Sequence, residues 1–243
     1  MSTRPELQAA QYWAVIAAAG MGSRVGAELP KQYLKLLGRT LLEHALEPFL
    51  NARWISGVVV VLSPTDQHFK SLAIAGNPRL HQAIGGARRA DSVLAGLAAL
   101  AGCHAGSAES VYVLVHDAAR PAVRAVDLER LRDVAGDEDG GLLAMPVSDT
   151  LKRAEGDRAA ATVDRRVLWR AQTPQMFRLD LLRHALERAL ATDMDVTDEA
   201  RAMEAAGHRP RLVSSHAANL KVTTTDDLAL AEFWLKKTRG ESR

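Results

Sequence analysis

The chain carries one cysteine in 243 residues, Cys103 in the stretch AGCHAGSAES. With no second thiol there is no disulfide within the chain, which fits a reducing compartment, and Cys103 reads as an incidental small residue. No apolar run approaches the length of a membrane span. The apolar run near the N-terminus is interrupted at Glu6 and is too short for a secretory h-region. A soluble, cytoplasmic protein with no membrane partner is therefore expected. Excess charge is missing too: the formal net charge is +2 with 25% charged residues, so nothing calls for nucleic acid as a partner. The eight histidines form neither H-E-x-x-H nor a Cys/His ligand cluster, which argues against zinc. No G-x-S-x-G nucleophile elbow occurs, and that removes the commonest hydrolase on an α/β sheet. A Walker A loop is absent because no Gly-Lys-Ser/Thr triplet exists. The dinucleotide fingerprint G-x-G-x-x-G fails at its third glycine, where Val25 stands and Gly26 comes one residue late.

What the chain does have is concentrated in Val15 to Gln32, VIAAAGMGSRVGAELPKQ. The apolar run Trp13–Ala19 has the length of a buried strand. Gly20 and Gly22 follow, where the backbone can turn and approach a ligand. Arg24 and Lys31 then bring two cations, the second fixed behind Pro30. A strand feeding a glycine loop with two cations suits a polyphosphate, whose oxygens the backbone N–H groups cradle while the cations neutralise charge. An ordinary strand–turn with surface charges would read the same way from this stretch alone.

The rest alternates strand and helix. Thr40-Leu-Leu-Glu43 is a capping box opening a helix to about Leu50. Gly57–Leu62, His81–Ile84, Val111–Val115, Leu142–Val147 and Arg211–Val213 read as strands, and Ser63-Pro64 as the cap and first-turn proline of a helix. Further helices are expected from Ser92 to about Leu100, Asp127–Val134, Leu179–Leu190, about Thr197–Ala206, and from the Thr-Thr-Thr-Asp-Asp cap to Lys236-Lys237. Between Ser148 and Arg170 polar and β-forming residues alternate around a turn at Glu155-Gly-Asp157, a hairpin arm and the best candidate for an oligomer contact. The acidic GDEDGG is read as a solvated turn. One large α/β domain over residues 1–243 is the expectation, Rossmann-like and doubly wound, with a mostly parallel sheet and the arm at about 148–170. Ligands bind beyond the carboxyl ends of such strands, which groups Gly20–Lys31, Gly85–Ser92 and His116–Pro121. Asp117, just past a central strand, is placed to be a Mg²⁺ ligand beside substrate phosphates, or simply to cap a turn; His116 reads as structural.

The stretches AAAGMGSR, LPKQYL, GG…RADSVLAGL, VHDAARP, SDTLKRA, TVDR…LW, AQTPQMF, DVTDEA and NLKVTTTDDLALAE run from about Ala14 to Phe233. In that order they resemble the 2-C-methyl-D-erythritol 4-phosphate cytidylyltransferases of the non-mevalonate isoprenoid pathway. The resemblance implies a Mg²⁺-dependent enzyme that joins CTP to methylerythritol phosphate with release of pyrophosphate. It also implies a homodimer through an exchanged arm. By position, Arg24 and Lys31 would stabilise the transition state. Ala17, Ala18, Ala19, Gly20 and Gly22 would hold the triphosphate, and Gly85, Gly86 and Ser92 would read the cytosine. Arg89 and Ala118 would complete the nucleotide site, and Asp117 would take Mg²⁺ or the sugar hydroxyls. Lys221 would align the reacting groups. Thr150 and Arg165 on the arm would grip methylerythritol phosphate in the neighbouring subunit's site, with Arg120 and Thr173 in the same pocket. Two positions depart from the family pattern: Ala87 and Ala218 stand where relatives often have acids. A sister cytidylyltransferase acting on ribitol 5-phosphate shares the glycine loop and the DAARP stretch and is the nearest alternative; a catalytically silent nucleotide-binding module on the same fold is the other.

Overall fold

A computed structural model describes residues 10–20, 29–103 and 110–238. Strand β1 (Gln11–Ala18) lies between β4 (Ile55–Leu62) and β6 (Val111–Asp117), parallel to both, and β5 (Leu80–Ile84) extends the sheet beyond β4. On the other side of β6 come β10 (Trp169–Arg178), β7 (Gly141–Pro146) and β11 (Arg211–Ser214). Only β10 runs against its neighbours, so the seven-stranded sheet is mixed but mostly parallel.

The apolar runs of β1, β4 and β6 are continuous because both faces of the sheet are covered. Val15, Val59, Val61, Val113 and Val115 point to one side. There they meet Val93 and Leu97 of α2 (Arg89–Leu100), Leu182 and Leu186 of α4 (Leu179–Ala191), and Met203 of α5 (Glu199–Ala205). Ile16, Val58, Val60 and Leu114 point to the other. They pack on Leu42, Leu46 and Phe49 of α1 (Leu41–Asn51) and on Leu128 and Leu131 of α3 (Ala125–Arg132). Helix α2 sits close to the sheet because Gly96 has no side chain; a Cβ there would lie 2.6 Å from Val15 Cγ1. A short ladder of β2 (Lys35–Leu36) and β3 (Arg39–Thr40) leads into α1. The helix starts at the expected box, with Thr40 accepting from Glu43 N and Glu43 accepting from Thr40 N. A third, smaller apolar cluster joins Leu36 and Leu41 to α6 (Thr225–Thr238).

Two expectations need correction. Ser63-Pro64 opens no α-helix. Ser63 Oγ accepts from Thr65 N, and Asp66 Oδ1 accepts from His68 N and Phe69 N, so side chains capture the amides a helix would need. The chain continues as short 3₁₀ turns at Phe69–Ser71 and Ala73–Gly76. The arm also ends earlier than expected. Strands β8 (Leu151–Glu155) and β9 (Arg158–Val163) form the exposed hairpin around Gly156, but Trp169 and Arg170 already belong to β10, paired with Pro146 and Met145 of β7.

Candidate nucleotide site

Strand connections step from β1 outward to β4 and β5, then return across β1 to β6. The crevice at this reversal, beyond the carboxyl ends of β1 and β6, is where doubly wound sheets bind ligands. Here Ala118 N donates to Ala17 O at 3.1 Å, and a cleft of about 200 Å³ opens above the pair. Ala17, Ala18, Ala19 and Gly20 line one wall and Lys31 and Gln32 stand near them; Gly86, Arg89 and Ser92 form another wall, closed by Asp117, Ala118 and Lys221. Three loops distant in sequence thus meet as expected. Gly22 and Arg24 lie outside the described residues.

Glycine is required where the loops touch. A Cβ on Gly85 would sit 2.5 Å from Ala19 Cβ and 2.7 Å from Ser92 Oγ, and Gly86 N donates to Ser92 Oγ at 3.1 Å. Gln32, buried, donates from Nε2 to Ala18 O at 2.8 Å and ties the lysine segment to the glycine loop.

Asp117 is nearly buried and braced by cations. Arg89 Nε reaches Oδ1 at 3.0 Å, Lys221 Nζ reaches Oδ2 at 2.9 Å, and Arg120 Nε stands 3.8 Å from Oδ2. Burial alone would raise the carboxyl pKa, but Arg89 and Lys221 outweigh it and hold Asp117 well below the usual range, ionised. Arg89 is also gripped from behind by the fully buried Glu199, at 2.7 and 3.2 Å. Burial disfavours its charge, yet Glu199 and Asp117 together keep the guanidinium protonated. Lys31 Nζ donates to Val222 O at 3.4 Å. The rim of the cleft therefore offers more positive than negative charge, as a polyphosphate needs.

The loop after β6 is locked by a closed set of hydrogen bonds. His116 Nε2 faces Arg120 O at 3.0 Å, a carbonyl that can only accept, so Nε2 carries the proton and Nδ1 accepts from Thr173 Oγ1 at 3.0 Å. Thr173 Oγ1 in turn accepts from Asp117 N at 3.0 Å. Burial pushes the His116 pKa down to about 4, so the ring is neutral, which bears out its structural reading.

Thr173 is thus a buried brace for Asp117 and does not line the cleft. Arg120 lies behind Asp117, donating from Nη1 to Asn219 O at 2.8 Å, with its Nε buried and without a hydrogen-bond partner. Thr150 and Arg165 are exposed at the base of the hairpin, just before β8 and just after β9, and Arg165 Nη1 donates to Ser148 O; neither lines the cleft of its own chain. Sequence reasoning assigned no role to Gln32 or Glu199, although both fall in quoted motifs, LPKQYL and DVTDEA. Ala218 is packed in the apolar cluster of Leu36 and Leu41, so at this departure from the pattern a methyl group stands in apolar surroundings. Ala87 lines the cleft and is exposed.

Among the described residues no three His, Cys, Asp or Glu side chains cluster as a metal site. The single carboxylate of Asp117 in this cation-rich cleft nonetheless fits Mg²⁺, which takes one or two carboxylates and completes its shell with substrate oxygens and water.

The model of the 2-C-methyl-D-erythritol 4-phosphate cytidylyltransferase family matches residues 12–237. The enzyme of that name from Azoarcus sp. (strain BH72) is 53% identical over 95% of this chain and 96% of its own length. The one from Ectopseudomonas mendocina (strain ymp) is 51% identical over 94% and 98%. A crystal structure of a 4-diphosphocytidyl-2C-methyl-D-erythritol synthase superposes with TM-score 0.80 at 39% identity, covering 93% of this chain and 99% of that one. The enzyme from Thermus thermophilus gives a TM-score of 0.75 at 33% identity, covering 92% and 98%. Over nearly its whole length, then, the chain belongs to the 2-C-methyl-D-erythritol 4-phosphate cytidylyltransferase family.

Proposed function

We propose a division of labour among the residues of this cleft for the family's reaction. The chain is a cytidylyltransferase: it joins CTP to 2-C-methyl-D-erythritol 4-phosphate and gives 4-diphosphocytidyl-2-C-methyl-D-erythritol and pyrophosphate. The observation that carries the reading is the cation-braced Asp117 facing the glycine loop at the reversal of the sheet. Ala17 to Gly20 cradle the triphosphate, and Gly86 and Ser92, with Gly85 behind them, read the cytosine and exclude purines. Asp117 binds Mg²⁺ or the ribose hydroxyls; when bound, the ion draws charge from the phosphates.

A phosphate oxygen of methylerythritol phosphate attacks the α-phosphorus in line. A new P–O bond forms there, the bond to the bridging oxygen breaks, and its electron pair leaves with pyrophosphate. Charge grows on the α-phosphoryl oxygens and the leaving group. Lys31, with Arg24 from the adjoining glycine loop, neutralises it, and Lys221 aligns donor and acceptor. No covalent nucleophile is needed.

Thr150 and Arg165 serve the neighbouring subunit. Their absence from the lining of their own cleft supports this, as do the exposed Val163, Val167 and Trp169 on and beside the arm, apolar surface suited to a second copy. No helix among the described residues is long and apolar enough to cross a membrane; we place the enzyme in the cytoplasm, where both substrates would be met.

The test is pyrophosphate release with CTP and Mg²⁺, comparing methylerythritol phosphate with ribitol 5-phosphate. Turnover with the former alone is expected. Turnover with ribitol 5-phosphate would overturn the roles of Thr150 and Arg165, and no turnover with either would overturn the roles given to the cleft.

A further inference from the structure

Helix α5 opens on Asp198-Glu199, and two contacts pin that opening to the sheet. Gln175 of β10 donates from Nε2 to Asp198 Oδ2 at 2.9 Å and accepts from Ala200 N at 2.7 Å. Asp198 caps the helix by accepting from Arg201 N at 3.0 Å. Glu199 is thereby carried into the interior with no exposed surface, where an ionised carboxylate is tolerated only beside a matching cation. Its cation is Arg89, gripped by both carboxylate oxygens at 2.7 and 3.2 Å.

A bidentate grip fixes the plane of a guanidinium as well as its place. With Nη1 and Nη2 held by Glu199, the edge bearing Nε and Nη2 faces Asp117 Oδ1, each nitrogen at 3.0 Å. Asp117 in turn holds Lys221 at 2.9 Å. Charges alternate along this row: Glu199, Arg89, Asp117, Lys221. Glu199 does not line the cleft, so it touches no substrate.

We infer that Glu199 is a positioning residue for the nucleotide site, setting Asp117 and Lys221 through the guanidinium of Arg89. Its charge has a second effect. Matched by Glu199, Arg89 does not compete with Lys31 and Lys221 for the triphosphate and acts as a bracket for Asp117. Glu199→Gln keeps the reach but puts an amide N–H against an arginine N–H, so the fork must turn and Asp117 loses its fixed bearing. The inference rests on the nucleotide reading of the cleft given above.

Initial rates of pyrophosphate release, with CTP and methylerythritol phosphate varied separately, test it in Glu199→Gln, Arg89→Met, their combination, and Arg89→Met/Glu199→Met. The last variant removes both charges together, a replacement that folded proteins tolerate well, so a folded sample is secured even if a single charge left alone proves disruptive. Glu199→Gln is expected to raise KM for CTP about tenfold and leave KM for methylerythritol phosphate within about twofold. In the Arg89→Met background it should add nothing further, and the double methionine variant should show the same raised KM for CTP. A merely structural role would lower kcat by lost active enzyme and move neither KM. An unchanged KM for CTP in the double methionine variant, or equal effects of Glu199→Gln with and without Arg89, overturns the inference while the nucleotide reading stands. An inactive wild-type enzyme overturns both.

Discussion

His116 predicts how this fold fails in acid. The ring is fully buried between Phe49, Thr173 and the Arg120 carbonyl and must stay neutral to accept from Thr173 at Nδ1. Its pKa falls from 6.5 in the unfolded chain to about 4 in the fold; burial leads, the hydrogen bond to the Arg120 carbonyl and the charge of Asp117 oppose it, and the Arg120 guanidinium adds a smaller lowering. Between those values the unfolded state binds a proton that the native state refuses, so this group's contribution is complete above pH 6.5 and is lost as pH falls toward 4. Linkage gives a loss of about 2 kcal/mol by pH 5 and about 3 kcal/mol by pH 4, against almost none at pH 7.5. The perturbation is His116→Gln, which retains an N–H for the Arg120 carbonyl and does not titrate. Urea unfolding followed by tryptophan fluorescence, at one fixed protein concentration, measures both proteins at pH 7.5 and pH 5.0. The variant should be the less stable at pH 7.5, yet its stability should fall by about 2 kcal/mol less than wild type's between the two pH values. Parallel declines would refute the argument. His216, whose pKa is also lowered, by its partial burial and by Arg124, is present in both proteins and cancels in the comparison.

Three further outcomes follow from the geometry. Gly96→Ala pushes a methyl to 2.6 Å from Val15 Cγ1 and 2.8 Å from Val61 Cγ2, so urea unfolding should show a loss of about 1–3 kcal/mol, and an unchanged midpoint would show that α2 can retreat freely. Gly85→Ala crowds Ala19 and Ser92, both of which line the cleft. Calorimetric CTP binding should weaken at least about tenfold, and wild-type affinity would remove Gly85 from the site. If each cleft uses the neighbour's arm, mixing inactive Lys31→Ala with inactive Arg165→Met under subunit exchange should restore about a quarter of wild-type activity, because half the dimers are mixed and each holds one intact site. No recovery would place the arm and the cleft in one chain.

Local rules were legible in the chain. The Thr40–Glu43 box, the aliphatic runs of β4 and β6 and the Glu155–Asp157 hairpin turn each depend on neighbours a few residues away. Strand β10 is not legible in the sequence because AQTPQMFR has neither a clean alternation nor a continuous apolar run. Pro174 falls where its pairing with β7 is interrupted, between Ala171 and Gln175, and pairing with β6 begins only at Gln175. Its strand character comes from the two strands flanking it. Ser63-Pro64 misled for the converse reason: a valid local cap was outcompeted by the Asp66 side chain.

The site divides in the same way. Gly20, Lys31, Gly86, Ser92 and Asp117 were visible because glycine loops at strand ends have a fixed chemical purpose, and the sheet order then brings those ends together. The pairing of Glu199 with Arg89 spans 110 positions, and the hydrogen bond from Thr173 to His116 spans 57. No periodicity or spacing encodes such contacts. The sequence by itself determined the apolar strands of the sheet centre and which glycine loops follow strands, since propensity, patterning and glycine freedom act locally. Only the tertiary structure decided which charges face each other, because burial and pairing energies exist only once the elements are packed.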